Sequence, residues 1–135
     1  MWRVTYAIHE FILVLGLLHV VIGRKEYFTA VSGYGFQRDH LLAILTEETP
    51  ELGTGGALHL GKSISAEGME ILMSLPSPEP RRDVVEAHLQ IACIFFPRAR
   101  ILAKKLGIKW PTEFEVATKS ILRRHFEGKF EVKWD

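Results

Sequence analysis

The chain has 135 residues, 47% of them hydrophobic, and its 17 basic and 16 acidic side chains leave a formal net charge of +1. This size suits one folded domain, and the composition excludes a disordered chain. The even charge balance excludes a strong electrostatic attraction to nucleic acid or to an acidic membrane, and neither is an expected partner. A lone cysteine, Cys93, excludes an internal disulfide; its surroundings, IACIFF, predict that it is buried, and a reducing cytoplasm is the predicted location.

The first segment, from about Thr5 to Arg24, is apolar almost all round, which predicts the most buried helix of a bundle. Its uninterrupted apolar run is shorter than the about 20 residues of a membrane span and includes His19. His9 and Glu10 interrupt the segment, and no small-residue cleavage site follows, which disfavours a signal peptide. We therefore predict a core helix.

One side of this helix carries small residues at helical spacing. Gly16, His19 and Gly23 fall near the same side, because residues three and four apart share a helix face. This stripe predicts the close approach of another helix.

The middle of the chain is predicted as short helices separated by turns. The pattern indicates a helix over residues 25–31 closed by Gly33, a turn at the Ser-Gly-Tyr-Gly string of residues 32–35, and a second helix over Phe36–Glu47. Residues 49–64 are glycine-rich and predict a loop, after which Ser65 caps a helix through about Leu75.

The last two helices have the clearest boundaries. Ser77 and Pro78 begin a long helix that Gly107 closes, and Pro97 inside it predicts a kink or a split into two helices. A capping box at residues 112–115 starts the final helix, which ends near Gly128 and is predicted to turn four residues inward: Phe114, Ala117, Ile121 and Leu122. The tail after it is predicted as a short strand or an ordered coil. The fold class is all-α, a single helical domain over residues 1–135 with five or six helices.

Residues 56–63, GALHLGKS, satisfy the phosphate-loop pattern G-x-x-x-x-G-K-[ST]. Such a loop works when a buried strand delivers it to the start of a helix, so that backbone N–H groups surround the phosphates. The residues upstream, TEETPELGTG, do not resemble a strand, and no alternation of strands and helices occurs. The pattern alone does not predict a nucleotide site.

Arg82 and His88 form a second candidate pair. Helical ribonucleases of the HEPN type use an arginine followed a few residues later by a histidine, in which the histidine moves a proton and the arginine steadies a phosphate. Here the neighbour of the arginine is Asp83, and His88 lies on the apolar seam of its helix. A core histidine is the competing interpretation.

The candidate binding residues surround the exit of the first helix. A carboxylate on an apolar helix needs a partner, and Glu10 could find one in Arg3, His9 or His40. The predicted substrate-binding residues are Glu10, Tyr34, Arg38 and Asp39. The six histidines show no metal-ligand spacing, so neither a metal site nor a cofactor is predicted.

Two strings, GRKEYFTAVSGYGFQRDHLL and FFPRARILAKKLGIKWPTEFEVATKSILRRHF, resemble the helical C-terminal region of bacterial nucleotidyltransferase-domain proteins, the group that includes aminoglycoside nucleotidyltransferases. In that family a separate α/β domain carries a Gly-Ser loop and paired aspartates. This chain has neither a Gly-Ser dipeptide nor a D-x-D motif. The resemblance therefore implies an accessory domain, the C-terminal part of a larger two-domain protein or a separate chain, that is not catalytic alone.

The sequence thus supports an accessory substrate-binding and scaffold domain without catalytic residues of its own. The implied partners are a catalytic nucleotidyltransferase domain or chain and a small-molecule substrate, and a homodimer is also compatible. Two alternatives stay open: the ribonuclease or toxin that would use Arg82 and His88, and a plain helical interaction domain.

Overall fold

A computed structural model describes residues 2–53, 60–77 and 83–126 of the chain. Six α-helices and one 3-10 turn form these parts: α1 (Trp2–Gly23), α2 (Tyr27–Glu48), the 3-10 turn (Pro50–Leu52), α3 (Leu60–Ser63), α4 (Ala66–Ser74), α5 (Asp83–Leu106) and α6 (Thr112–Phe126). The described ranges contain no strand, and the all-α helical bundle predicted from the sequence is confirmed.

The bundle is built around α1 and α2, which form an antiparallel hairpin. Arg3 near the start of α1 pairs with Glu47 near the end of α2, at 3.4 Å between Nη1 and Oε1. In the middle of the hairpin, Gln37 Nε2 donates to the carbonyl of Phe11 at 3.0 Å. Helix α5 packs across both helices, and α6 packs along α1. The buried apolar residues of these four helices form one core.

Helix α2 corrects the prediction of a turn at residues 32–35, because it runs unbroken from Tyr27 to Glu48. A glycine inside a helix costs about 1 kcal/mol relative to alanine, and α2 contains two. Burial along one face outweighs that cost, since Ala30, Tyr34 and Leu41 are almost completely buried at helical spacing. Tertiary packing therefore overrides the local turn signal.

The turn between α1 and α2 lies at the predicted end of the first helix, near Arg24, and requires a left-handed residue. Lys25 has a φ of 58°. The N–H of Glu26 bonds to the carbonyl of Val21, and that of Lys25 bonds to the carbonyl of Ile22. This is the Schellman arrangement, in which glycine is the usual left-handed residue. Gly107 closes α5 in the same way, with a φ of 72°, as predicted.

Helix α5, and not α1, is the most buried element. Twelve of its 24 residues are buried, against seven of the 22 residues of α1, so the prediction for the first helix is wrong. Helix α5 also runs through Pro97 as one helix, which excludes a split at that residue. Cys93 is exposed on this helix, contrary to prediction. Helix α5 is described from Asp83 onward. Its predicted start at Ser77 and Pro78 cannot be compared, because residues 78–82 lie outside the described ranges.

Helix α6 begins without the predicted capping box. In a capping box the Glu115 carboxylate would accept from the N–H of Thr112, but that N–H donates to the carbonyl of Trp110; the N–H of Glu115 donates to the carbonyl of Pro111 as the first bond of the helix. The Glu115 carboxylate accepts hydrogen bonds from Arg100 of α5 and from Trp110 Nε1, so it joins α6 to α5. The residues of α6 that are buried are Glu115, Thr118, Leu122 and Phe126. Of the four residues predicted to point inward, only Leu122 is among them. The predicted tail after α6 lies outside the described residues.

Helix α4 is held to the bundle by Arg98 of α5. Its guanidinium donates to both carboxylate oxygens of Glu48, at 3.1 and 2.9 Å, and to Glu67 of α4 at 3.1 Å. The hydrogen bonds to Glu48 raise the pKa of Arg98 above its ordinary value. The predicted cap of α4 is confirmed, since Ser65 Oγ accepts from the N–H of Gly68 at 3.0 Å.

Helix α1 is the one helix in the described ranges that is long and apolar enough to cross a membrane, with a mean hydropathy of 1.9 over its most apolar stretch. Core helices and signal sequences satisfy the same length and composition test. A third of that stretch is buried inside the bundle, and much of the rest is half-buried against neighbouring helices.

Candidate functional site

An apolar groove of about 210 Å³ lies along the seam between α1 and α2, and we call it the hairpin groove. Val14, Leu17 and Val21 of α1 form one wall, and Gly33 and Phe36 of α2 form the other. These residues recur every three or four positions, which places them on facing stripes of the two helices. The volume suits one small apolar group or ring.

Gly33 leaves open space in the groove because it has no side chain. A Cβ atom at this position would lie 3.5 Å from Val14 Cγ1 and 3.6 Å from His88 Cε1, in ordinary van der Waals contact with both. The glycine therefore leaves the imidazole of His88, from α5, as part of the groove lining. This use of Gly33 replaces the turn that the sequence predicted.

His88 is a buried, neutral histidine. Its side chain is only 1% exposed, and Nε2 lies 2.8 Å from the carbonyl oxygen of Ala30, so Nε2 carries the proton. Burial lowers the pKa of His88, and the bond to the Ala30 carbonyl offsets part of that shift. Nδ1 has no hydrogen-bond partner among the described residues.

This position argues against proton transfer by His88 to an RNA chain, because a base must come within hydrogen-bond reach of the group it deprotonates. Arg82, its predicted companion, lies outside the described residues. The geometry around His88 therefore supports the core-histidine interpretation.

The negative charge of Glu10 on α1 acts on His40 on α2. Glu10 is half-buried on α1, and the ring of Tyr6 packs edge-on against the ring of His40 on α2, with the ring centres 6.2 Å apart. Burial lowers the pKa of His40, and the negative charges of Glu10 and Asp39 oppose that shift. Of the three partners considered for Glu10, Arg3 pairs with Glu47, His9 bonds to the Thr5 carbonyl, and His40 is the one whose pKa the charge of Glu10 affects.

The other three predicted binding residues do not converge with Glu10 on one pocket. Tyr34 is 1% exposed, and its hydroxyl donates to the carbonyl of Pro76 at 2.9 Å, so it anchors the segment after α4. Burial raises the pKa of Tyr34, and the charge of Arg38 partly offsets this. Arg38 is exposed and lies 5.4 Å from the centre of the Tyr34 ring, while Asp39 is exposed to solvent.

Sequence reasoning missed the groove residues, although one signal pointed to them. Gly33 is a glycine with apolar neighbours at helical spacing, a combination typical of a close approach inside a helix as well as of a turn. Val14 and Leu17 belong to the helix that was predicted to be the most buried, yet Leu17 is 51% exposed, and Phe36 of α2 is 58% exposed. Only the packing of the two helices distinguishes a groove wall from a core position.

The phosphate-loop-like string is only partly described. Leu60–Ser63 forms the short helix α3, residues 54–59 lie outside the described ranges, and the described chain before them is helical. No strand therefore delivers the loop within the described residues. The same residues contain no group of three or more His, Cys, Asp or Glu side chains that could hold a metal ion.

Comparison with protein-family models, with curated proteins and with solved structures found no match to this chain.

Proposed function

We propose that this chain is an accessory helical domain that binds an apolar group of a small-molecule substrate in the hairpin groove and serves as a scaffold for a separate catalytic domain. The observation that carries the proposal is the groove itself, with walls of Val14, Leu17 and Phe36 and a lining that is almost wholly apolar. Pockets of this kind bind small molecules mainly by burying apolar surface.

The sequence resemblance names the class of catalytic partner, a nucleotidyltransferase domain. In this arrangement the groove holds the acceptor substrate and the partner carries out the transfer. Glu10 and His40, both half-buried, lie one helical turn beyond the wall residues Val14 and Phe36 on the same helix hairpin and supply polar groups at that end. A substrate with an apolar body and a polar end fits this combination.

The binding step can be tested with indole as a probe, followed by shifts of backbone amide NMR signals. We expect indole to move the signals of groove residues in the isolated chain. Gly33→Leu should weaken the effect at least about tenfold, because the new side chain fills the groove. The matched control is Gly35→Leu, since a Cβ there meets nothing closer than Arg38 Nη2 at 4.0 Å.

Both variants must retain the helical circular dichroism spectrum of the natural chain. Gly33→Ala fills less of the groove and fits the space, so it provides a second variant with a smaller change. Equal indole binding in Gly33→Leu and Gly35→Leu would contradict the groove as the binding site. With the catalytic domain present, Gly33→Leu should raise the KM for the acceptor substrate and leave kcat nearly unchanged.

A specific observation also favours the plain interaction domain as a second candidate. Large apolar side chains remain exposed along α1, among them Trp2 at 75% and Tyr6 at 56%. Exposed apolar surface that is contiguous and large marks protein interaction sites.

A further inference from the structure

One side of α1 faces away from the bundle and is apolar along most of its length. We call it the outer face, and it consists of Trp2, Tyr6, His9, Leu13 and Leu17. Successive members are three or four residues apart, so they form one stripe along the helix. All five are exposed, and the stripe contains no Lys, Arg, Asp or Glu. Depletion of charge is typical of the centre of a protein interface.

The spacing of this stripe is palindromic. Trp2 and Leu17 lie equally far from the midpoint between His9 and Glu10, and so do Tyr6 and Leu13. If a second α1 lies antiparallel across the first, each large aromatic side chain therefore meets a leucine. A twofold-symmetric interface requires such a self-complementary surface, because each contact of residue i with residue j is repeated as j with i.

The exposed area matches that of a dimer interface. The large side chains of the outer face are 44–75% exposed, and Phe36 beside Leu17 is 58% exposed. With about 200 Å² for an aromatic side chain and about 100 Å² for leucine, they expose roughly 450–500 Å² of apolar surface. A specific interface buries about 800 Å² per partner, of which somewhat more than half is apolar.

We propose that two copies of this chain associate through the outer face, with their α1 helices antiparallel about a twofold axis near His9. Trp2 of each copy packs on Leu17 of the other, and Tyr6 packs on Leu13. Because Leu17 also lines the hairpin groove, each Trp2 lies at the edge of the other copy's groove. The dimer does not rest on the proposed function, since association is measured without any small molecule.

The first test is the mass of the chain in solution, measured by light scattering and sedimentation equilibrium over a range of concentrations. We expect twice the chain mass of 15.4 kDa at high concentration. Leu13→Glu should weaken association at least about tenfold, because it places a charge at the centre of the apolar stripe. Ile101→Glu on α5 is the matched control, since Ile101 is 71% exposed and lies outside the outer face.

The second test checks the antiparallel register by disulfide cross-linking in a Cys93→Ser background. Chains with Tyr6→Cys and chains with Leu13→Cys should cross-link when mixed. Neither should cross-link with itself, because the like positions are about 10 Å apart along the paired helices, while a disulfide needs Cα atoms within about 7 Å.

Three results would overturn the proposal. One is a chain that stays monomeric at all concentrations. If that monomeric chain also co-sediments with phosphatidylcholine vesicles, the outer face would be assigned to a membrane instead. Another is equal loss of association in Leu13→Glu and Ile101→Glu. The third is a dimer in which mixing the two cysteine variants gives no cross-link beyond that of each variant alone.

Discussion

Lys25 occupies a backbone conformation that suits glycine better than lysine. Its φ of 58° brings Cβ close to the carbonyl oxygen, and its side chain is exposed to solvent. The residue stays there because the turn from α1 to α2 requires a left-handed position. The strain is local and can be removed by one substitution.

We expect Lys25→Gly to stabilise the protein by about 0.5–1 kcal/mol, because relief of the left-handed strain exceeds the added entropy of the unfolded chain. The urea midpoint at constant slope measures the change. Arg24→Gly, one residue earlier and not left-handed, serves as the control and should lower the midpoint. A fall in the midpoint for Lys25→Gly would show that the lysine side chain contributes more than its backbone costs.

Three histidines make the fold sensitive to acid. Burial lowers the pKa of His19, His40 and His88 below the ordinary value of 6.5, and His125, stacked on His19 with ring centres 4.4 Å apart, lowers the pKa of His19 further. The unfolded chain therefore binds more protons than the folded chain below about pH 6.5, where these residues ionise when unfolded. Stability is fully present above that pH and is lost as the pH falls.

We expect the urea midpoint to fall between pH 7.5 and pH 5, with a smaller fall in His88→Phe. At pH 7.5 this variant should already be less stable, because it lacks the hydrogen bond to the Ala30 carbonyl. The pH dependence and the loss at neutral pH are thus separate readouts. An unchanged pH dependence in His88→Phe would assign the acid sensitivity to other groups.

Helix α1 packs on α6 through a glycine. A Cβ at Gly16 would lie 3.3 Å from Thr118 Oγ1, whereas a Cβ at Gly23 would meet no atom within 4 Å. The predicted approach of a second helix at Gly16 and His19 is therefore confirmed, and at Gly23 it is not.

Gly16→Leu should destabilise the protein by about 1–3 kcal/mol, because the added side chain forces α6 away from α1. Gly23→Leu makes the same chemical change at the open position and should be close to neutral. Thermal unfolding followed by circular dichroism compares the two variants. A neutral Gly16→Leu would mean that α6 can shift without loss of packing.

The proposed dimer couples association to the stability of the whole molecule. Since the partner copy binds only the folded chain, the melting temperature should rise with chain concentration. Leu13→Glu should remove this concentration dependence, and Ile101→Glu should retain it. A melting temperature that is independent of concentration in the natural chain would contradict the dimer.

Much of the helical architecture followed from the order of residues. Apolar periodicity predicted α1, α5 and α6, Ser65 and Gly107 marked helix ends, and His40 was one of the three partners considered for Glu10. These features depend on neighbours within one or two helical turns, or on the pairing of consecutive helices. Local chemistry was sufficient to predict them.

Only the tertiary structure decided which face of each helix is buried. Tyr34 looked like a binding residue and is buried, Cys93 looked buried and is exposed, and the two glycines of α2 continue a helix that they were expected to end. The hairpin groove and the outer face of α1 arise in the same way. An almost uniformly apolar helix does not specify which of its sides faces the core, and that choice depends on how α2, α5 and α6 pack around it.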